Sequence, residues 1–272
     1  MSQLDPETQG KKRRERYVIW TVTGIYAVVM LALGSAWYST QWVSGFHFFD
    51  DLAEWQQMDK LAHLCWTFHV SVLATRLVRW AGLDDPRAGR TGALMGFLLV
   101  SGIELFDGFS TAYGASVYDV AANAVGAMMF LAQQAVWKNI FVWPKFSFHP
   151  TSFAPLRPEV LGDGLLEEVL KDYNGQTFWY SVPIPKLPLP KWLHLAVGIG
   201  GEGMIYGRVF QNEAVQLHPE RRYFISFDLN FSHVKTSSRP LQSLFYLINI
   251  IKVPAPALEL STRGIRFHAI YF

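Results

Sequence analysis

Hydrophobic and polar positions change their rhythm just after Trp137, and that change divides the chain. Upstream, residues 17–42 carry no charged side chain, a length that crosses a hydrocarbon core of about 30 Å as a helix. Three further helical segments are predicted at 59–82, 91–109 and 117–137. The first of them holds Lys60, His63, His69, Arg76 and Arg79, but its charges gather at its ends, where long basic side chains reach an interface. Between it and the next, LDDPRAGR at 83–90 reads as a break in the chain around Pro86.

Downstream, prolines recur and helix periodicity fades. VLGDGLLEEVLKDY (160–173) predicts one short amphipathic helix with Leu161, Leu165 and Val169 on one face. Asn174-Gly175 predicts a turn into an aromatic strand, and HLAVGIGGEGMIYGR (194–208) a strand broken by glycines. RYFISFDLNFSHV (222–234) alternates, with Phe224, Ser226, Asp228 and Asn230 opposite Ile225, Phe227, Leu229 and Phe231. That period of two predicts a strand with one buried face. LQSLFYLINIIK (241–252) predicts a helix stopped by the prolines of VPAPALEL, and IRFHAIYF (265–272) a final aromatic strand. The expected fold class is an α+β membrane protein: a bundle of about four membrane helices, then a mainly antiparallel α+β region. The expected boundaries are a basic N-terminus at 1–16, an anchor or signal at 17–42, a helical core at 46–138 and the α+β region at 139–272.

Composition agrees with a membrane setting. Only 17% of residues are charged, against about 25% in ordinary soluble domains. A net charge of +2 gives no reason to expect a nucleic-acid partner. Placement of the charge says more. Lys11, Lys12, Arg13, Arg14 and Arg16 precede the first apolar segment, and Arg76, Arg79, Arg87 and Arg90 lie from the end of the second to the start of the third. By the positive-inside rule both groups are cytoplasmic, so 46–59 and 106–116 fall outside. A competing expectation is that residues 17–36 form a cleaved signal ending near Gly34-Ser35-Ala36, which moves the protein to the periplasm or outer membrane. The run is longer than the usual apolar core of a signal, about 7–15 residues, which favours an anchor in the inner membrane.

The chemistry-bearing residues sit at helix ends. Asp59 and His63 are four apart and share a helix face beside Lys60; Glu104 and Asp107 are three apart; Asp119 and Asn123 are four apart. If their helices pack together, these side chains converge on one layer. Three readings follow. One is structural, with Ser116-x-x-Asp119 as a capping box and Asn123 bonding across helices. Another is catalytic: an intramembrane hydrolase or transferase with Glu104 or Asp119 as acid or base and His63 assisting, in which one histidine and three carboxylates also match a divalent cation. Paired-histidine metal spacing is absent, so no metal site is assigned, and the residues leave the question of a cofactor open. The last is recognition of a polar envelope ligand or lipid head group, with Trp55, Trp66 and Tyr113 as an interfacial collar. Membrane lipid is the expected partner, and an envelope protein docking on the aromatic C-terminal half is the alternative.

Other features carry less. GIGGEGMIYG (198–207) lacks the Lys-Ser/Thr of a phosphate loop, so close backbone packing in a strand is expected there. His149, His194, His218, His233 and His268 have no metal-ligand spacing. About six strands are too few for the smallest outer-membrane barrels, which have eight.

MDKLAH (58–63), GIELFDGFSTAYGASVYDVAANAVG (102–126) and RPEVLGDGLLEEVLKDYNGQTFWYS (157–181) resemble the DUF2279 family of bacterial proteins. PKWLHLAVGIGGEGM (190–204) and VPAPALELSTRGIRFHAIYF (253–272) resemble its long form from Bacteroidetes, whereas the short YfiM-like lipoprotein relatives match only the helical half. The pattern of Asp59, Lys60 and His63, then Glu104 and Asp107, then Ser116, Asp119, Asn123 and Gly126 is also similar, more loosely, to VanZ-like membrane proteins. The resemblance implies a shared fold and an envelope location, assigns no activity, and groups these residues as one motif. One departure stands out. No lipobox cysteine follows the first apolar segment, so that segment is expected to do any anchoring itself.

Overall fold

The computed structural model describes residues 6–37, 45–184 and 189–272. Residues 1–5 and 38–42, the ends of the expected basic N-terminus and first apolar segment, lie outside them. The chain forms two compact units, residues 1–51 with 66–138 and residues 52–65 with 139–272.

Helices make the first unit. α1 (Pro6–Trp37) contains the basic run and the first apolar segment as far as Trp37. α2 (Met58–Ala81) fills the predicted second segment, and its residues from Trp66 onward belong here. α3 (Asp85–Ser101) starts earlier than expected, because Pro86 opens a helix rather than breaking the chain. A proline in the first turn forfeits only an amide that has no intrahelical partner, and the Asp84 carboxylate caps the helix by accepting from Arg87 N at 3.1 Å. α4 (Ile103–Asp107) is one turn, and α5 (Val117–Trp137) matches its predicted bounds.

Small and polar residues face inward in this unit. A Cβ on Gly92 would stand 2.5 Å from the Thr75 backbone nitrogen, and one on Gly96 2.7 Å from that of Ser71, so α2 and α3 touch backbone to backbone. Ser71 and Thr75 donate to carbonyls one turn back on α2, at 2.7 and 2.8 Å, and so bring no unsatisfied hydroxyl inside. Phe68 and Phe130 meet edge to face at 6.1 Å. Leu94, Leu98, Leu105, Val125, Met128 and Val136 point outward. The stretches Lys12–Ala32, Trp55–Ala81, Asp85–Asp107 and Val117–Trp137 are long and apolar enough to cross a membrane.

The second unit is an antiparallel meander: β1 (Trp143–Phe148), β2 (Gln176–Pro183), β3 (Leu193–Glu202), β4 (Glu220–Leu229), β5 (Ala255–Ser261) and β6 (Gly264–Tyr271), each paired with its sequence neighbour. On its other side β1 bonds the chain after the last helix, through Phe146 N to Ile250 O and Lys252 N to Phe146 O, both 2.9 Å. Short helices join the strands: α6 (Pro158–Leu161), α7 (Leu165–Lys171), α8 (Val209–Glu213) and α9 (Arg239–Ile248). The single helix expected over 160–173 is thus two. Gly162 (φ 103°) and Gly164 (φ 90°) adopt a conformation open to glycine and end the helical run, leaving Leu161 buried and Leu165 exposed. The glycine-broken strand appears as β3, and Gly198 lies where a Cβ would strike the Trp179 ring at 2.7 Å.

β4 alternates as predicted, with the polar residues inside. Arg222, Phe224, Ser226 and Asp228 are buried, while Tyr223, Ile225 and Phe227 are exposed. Trp179, Ala196, Phe224, Ala257 and Tyr271 form an inner core in which the Phe224 and Tyr271 rings stack at 4.4 Å. On the outer face of β1 and β2, Phe146 and Phe178 pack with Met204 and with Met58 and Cys65 from the start of α2. The turn leading into α2 is left-handed at Trp55, Gln56 and Gln57 (φ 49°, 52° and 58°), an unfavourable conformation for these residues. It is held by Trp55 N bonding Gly207 O at 2.7 Å and by Arg221, which bonds Gln56 O and, at 2.7 Å, Gln57 Oε1.

Candidate functional site

The predicted motif residues fall in both compact units. Asp59, Lys60 and His63 lie on the first turns of α2, within residues 52–65. Asp59 is buried, and its carboxylate pairs with its neighbour, Oδ2 to Lys60 Nζ at 2.7 Å and Oδ1 to Lys60 N at 2.9 Å. His63 is half-buried. Glu104, Asp107, Ser116, Asp119 and Asn123 belong to the helical unit.

Within that unit Ser116 is the hub. Its position before α5 follows from the Ser-x-x-Asp pattern, and its hydroxyl accepts the Asp119 amide at 3.0 Å. In a full capping box the residue-119 side chain would take the Ser116 amide in return. Glu104 takes it instead: its Oε2 lies 2.8 Å from Ser116 N, twelve residues away across the loop after α4. The Ser116 hydroxyl donates to Asp51 Oδ1 at 2.6 Å, so three carboxylate residues surround one serine. All this sits at the N-terminus of α5, where the helix dipole favours negative charge. Glu104 is 4% exposed, Asp119 6% and Ser116 2%.

One turn further along α5, Asn123 is fully buried. Its side-chain oxygen accepts from Thr67 Oγ1 at 2.8 Å on α2, and its amide donates to Ser101 Oγ at 3.1 Å on α3. One side chain therefore ties three helices. Asp107 stands half-buried in the last residue of α4.

The incoming segment is stitched to the same loop. His47 N bonds Gly108 O, Ala115 N bonds His47 O, Phe49 N bonds Ala115 O, and His47 Nε2 lies 2.8 Å from Tyr113 O. These bonds fix Asp51 beside Ser116, a placement the sequence reading missed because Asp51 reads there as one acid of a connector. Beside the hub, Phe48, Phe49, Asp50, Val117 and Tyr118 line an open cleft of about 490 Å³. The carboxyl groups and the hydroxyl of the hub are oxygen ligands, of the kind that suits hard cations. The bonds just given engage one oxygen each of Glu104 and Asp51, and the Ser116 hydroxyl, with protein groups.

The second unit holds a polar centre that the sequence reading did not assign. Lys145 Nζ, wholly buried, pairs with Asp228 Oδ2 at 2.7 Å and donates to Leu229 O at 2.8 Å and Asn249 Oδ1 at 3.1 Å, which uses all three of its protons. Asp228 also accepts from Ser181 Oγ at 2.7 Å and Val253 N at 3.3 Å. Because the Ser181 proton goes to Asp228, its oxygen accepts from His194 Nδ1 at 3.2 Å, and Asn230 Nδ2 donates to His194 Nε2 at 3.2 Å. His194 is therefore neutral with its proton on Nδ1, and burial pushes its pKa down to about 4. Burial likewise lowers Lys252, which lies 4.9 Å over the Trp179 ring, to about 8. The one advance signal was the polar row of Ser226, Asp228 and Asn230 within an aromatic strand.

Residues 47–133 match the DUF2279 family, described as a predicted periplasmic lipoprotein family, so the chain carries that region from the segment before α2 to late α5. The description agrees with an envelope protein. The chain's single cysteine, Cys65, is buried in α2 and is no site for a lipid anchor. The looser likeness to VanZ-like proteins finds no support. No curated protein matches the chain, and no solved structure does.

Proposed function

We propose that this is a non-enzymatic membrane protein of the bacterial envelope, held in the inner membrane by its apolar helices, whose motif residues lock the helical unit rather than process a substrate. The observation that carries the reading is the Ser116 hub. Glu104, the strongest candidate for an acid or base, accepts a backbone amide, and the Ser116 hydroxyl both donates and accepts within the protein. Groups engaged in this way serve as fasteners for a loop and a helix start. Asn123 does the same one turn deeper, in a setting where interhelical polar bonds replace the hydrophobic effect as glue.

A second reading rests on the cleft beside the hub. Phe48, Phe49 and Tyr118 with the single Asp50 form an aromatic wall with one carboxylate, a shape that takes the polar head of an envelope lipid.

Thermal unfolding in detergent tests the main reading. Ser116→Ala loses a cap and a donor and is expected to cost about 0.5–2 kcal/mol. Glu104→Gln is expected to lose stability as well, since it replaces a carboxyl oxygen of the buried hub with an amide nitrogen that cannot accept a hydrogen bond. Retained or raised stability in Glu104→Gln, together with loss of function in cells, is the signature of a catalytic acid and would overturn the proposal.

A further inference from the structure

Strands β3 to β6 turn an apolar face outward; their inner face mixes the Phe224 and Tyr271 core with buried polar groups. In register, Val197 stands beside Ile225, Ile225 beside Leu258, and Leu258 beside Phe267. A second row runs Ile199, Tyr223, Leu260 and Ile265, its first member half-buried against the Phe146 and Phe178 cluster, and shorter ones pair half-buried Leu195 with exposed Phe227 and half-buried Leu193 with half-buried Leu229. Val197, Ile225, Leu258 and Phe267 are 43%, 54%, 51% and 68% exposed. The opposite face carries Ser226, Asp228 and Glu259, all buried, with the Lys145–Asp228 pair beneath. From Leu193 to Ile199 the band is about 20 Å tall, at about 3.3 Å per residue. Its rims are of another kind: exposed Lys191 and Trp192 at one end, and at the other Arg263 in the β5–β6 turn, exposed and paired with Glu220 Oε1 at 2.9 Å.

We propose that this face is a lipid-docking surface, seated in the acyl layer of a membrane with Lys191, Trp192 and Arg263 at head-group level. An apolar outer band edged by aromatic and basic residues is the arrangement of sheets that face lipid. A protein partner fits less well. Interfaces between proteins carry about one hydrogen bond per 100–200 Å², and across its two longest rows this band offers one side-chain polar group, the Tyr223 hydroxyl. Among the described residues no strand pairs with the outer edge of β6, and unpaired backbone is costly inside hydrocarbon. The sheet therefore lies against the membrane rather than crossing it. The inference goes beyond the helix-locking role and does not depend on it.

Nitroxide labels test it on the full chain in vesicles of phosphatidylethanolamine and phosphatidylglycerol. Single cysteines replace Val197, Ile225, Leu258 or Phe267, all exposed and outside the buried network; wild type, whose one cysteine is buried, sets the background. Met128→Cys on α5 reports on the helical unit and Glu213→Cys on water. Collisions with oxygen are expected to exceed those with a water-soluble nickel chelate several-fold at all four sheet positions, and the reverse at Glu213→Cys. Nickel-dominated relaxation at the four positions overturns the proposal. So does low access to both reagents with dipolar broadening, which marks a second copy. A lipid signal at Met128→Cys alone would sink the sheet inference while leaving the membrane helices standing.

Discussion

In the helical unit away from the carboxyl groups of the Ser116 hub, Ser71 and Thr75 bond carbonyls of their own helix, and Asn123 joins Thr67 to Ser101 with neutral groups. In the sheet unit the interior is ionic: Lys145 spends its three protons on Asp228, Leu229 and Asn249. Both units bury polar atoms and expose leucine, isoleucine and phenylalanine, yet they satisfy the inside differently. A helix closes its backbone bonds within itself, so small hydroxyls suffice between helices, and glycines bring the backbones close. The inner face of the sheet gathers groups from β1, β2, β3, β4 and the end of α9, and the Lys145–Asp228 pair with its several donors joins them. The helical interior is therefore expected to fail gradually and the sheet interior abruptly.

The largest expected effect is in the sheet. Lys145→Met leaves Asp228 charged, buried and without its counter-ion, a change that typically costs about 3–5 kcal/mol. Chemical denaturation should show it, and a second change, Asp228→Leu, should recover much of the loss. If Lys145→Met proves mild, the contrast between the two interiors is wrong.

Next comes the tightest helical contact. Gly96→Val puts new carbons into the Ser71 backbone, an overpacking expected to cost about 1–3 kcal/mol or to part α2 from α3. Thermal melting in detergent measures it, and an unchanged midpoint would mean that the helices do not pack this closely.

Acid sharpens the comparison. The pKa of His194 is about 4 folded against 6.5 for an ordinary histidine, so between these values the unfolded chain binds a proton that the folded one refuses. Its contribution is full above about pH 6.5, falls with pH through that window and levels off below about 4. His194→Gln should flatten this slope in denaturation curves taken from pH 7 to 4; an unchanged slope would locate the acid sensitivity elsewhere. The smallest effect belongs to the helix glue. A double-mutant cycle of Thr67→Val with Asn123→Leu should give a coupling of about 0.6 kcal/mol, at most about 1.7.

The long helices were legible because unbroken apolar runs of that length have few other homes: 59–82 and 117–137 became α2 and α5 with little change. Pro86 misled because proline both ends and opens helices, and only the capping bond of Asp84 decides which. Gly162 and Gly164 hid a break inside an amphipathic pattern, since their cost depends on a φ that the pattern does not encode. In β4 the period was readable and the direction was not. Alternation tells two faces apart, and which one meets the core depends on what surrounds the sheet.

The site was legible to a similar depth. Ser116 as a cap follows from four consecutive residues, and its hydroxyl does accept the Asp119 amide. The claims of Glu104 and Asp51 on the same serine arise from loop closure over 12 and 65 residues, which leaves no local trace. Lys145 escaped because one lysine in WPKFSF reads as a solvated residue, and its partner lies 83 positions downstream at Asp228.

The account turns on whether the carboxylates around Ser116 fasten the fold or hold a ligand. Native mass spectrometry of the intact, detergent-purified protein, wild type beside Glu104→Gln, addresses that most directly. The account predicts the same adduct pattern in both, with the variant less stable. A metal ion or lipid head group bound to wild type and lost from Glu104→Gln, at unchanged stability, would contradict it.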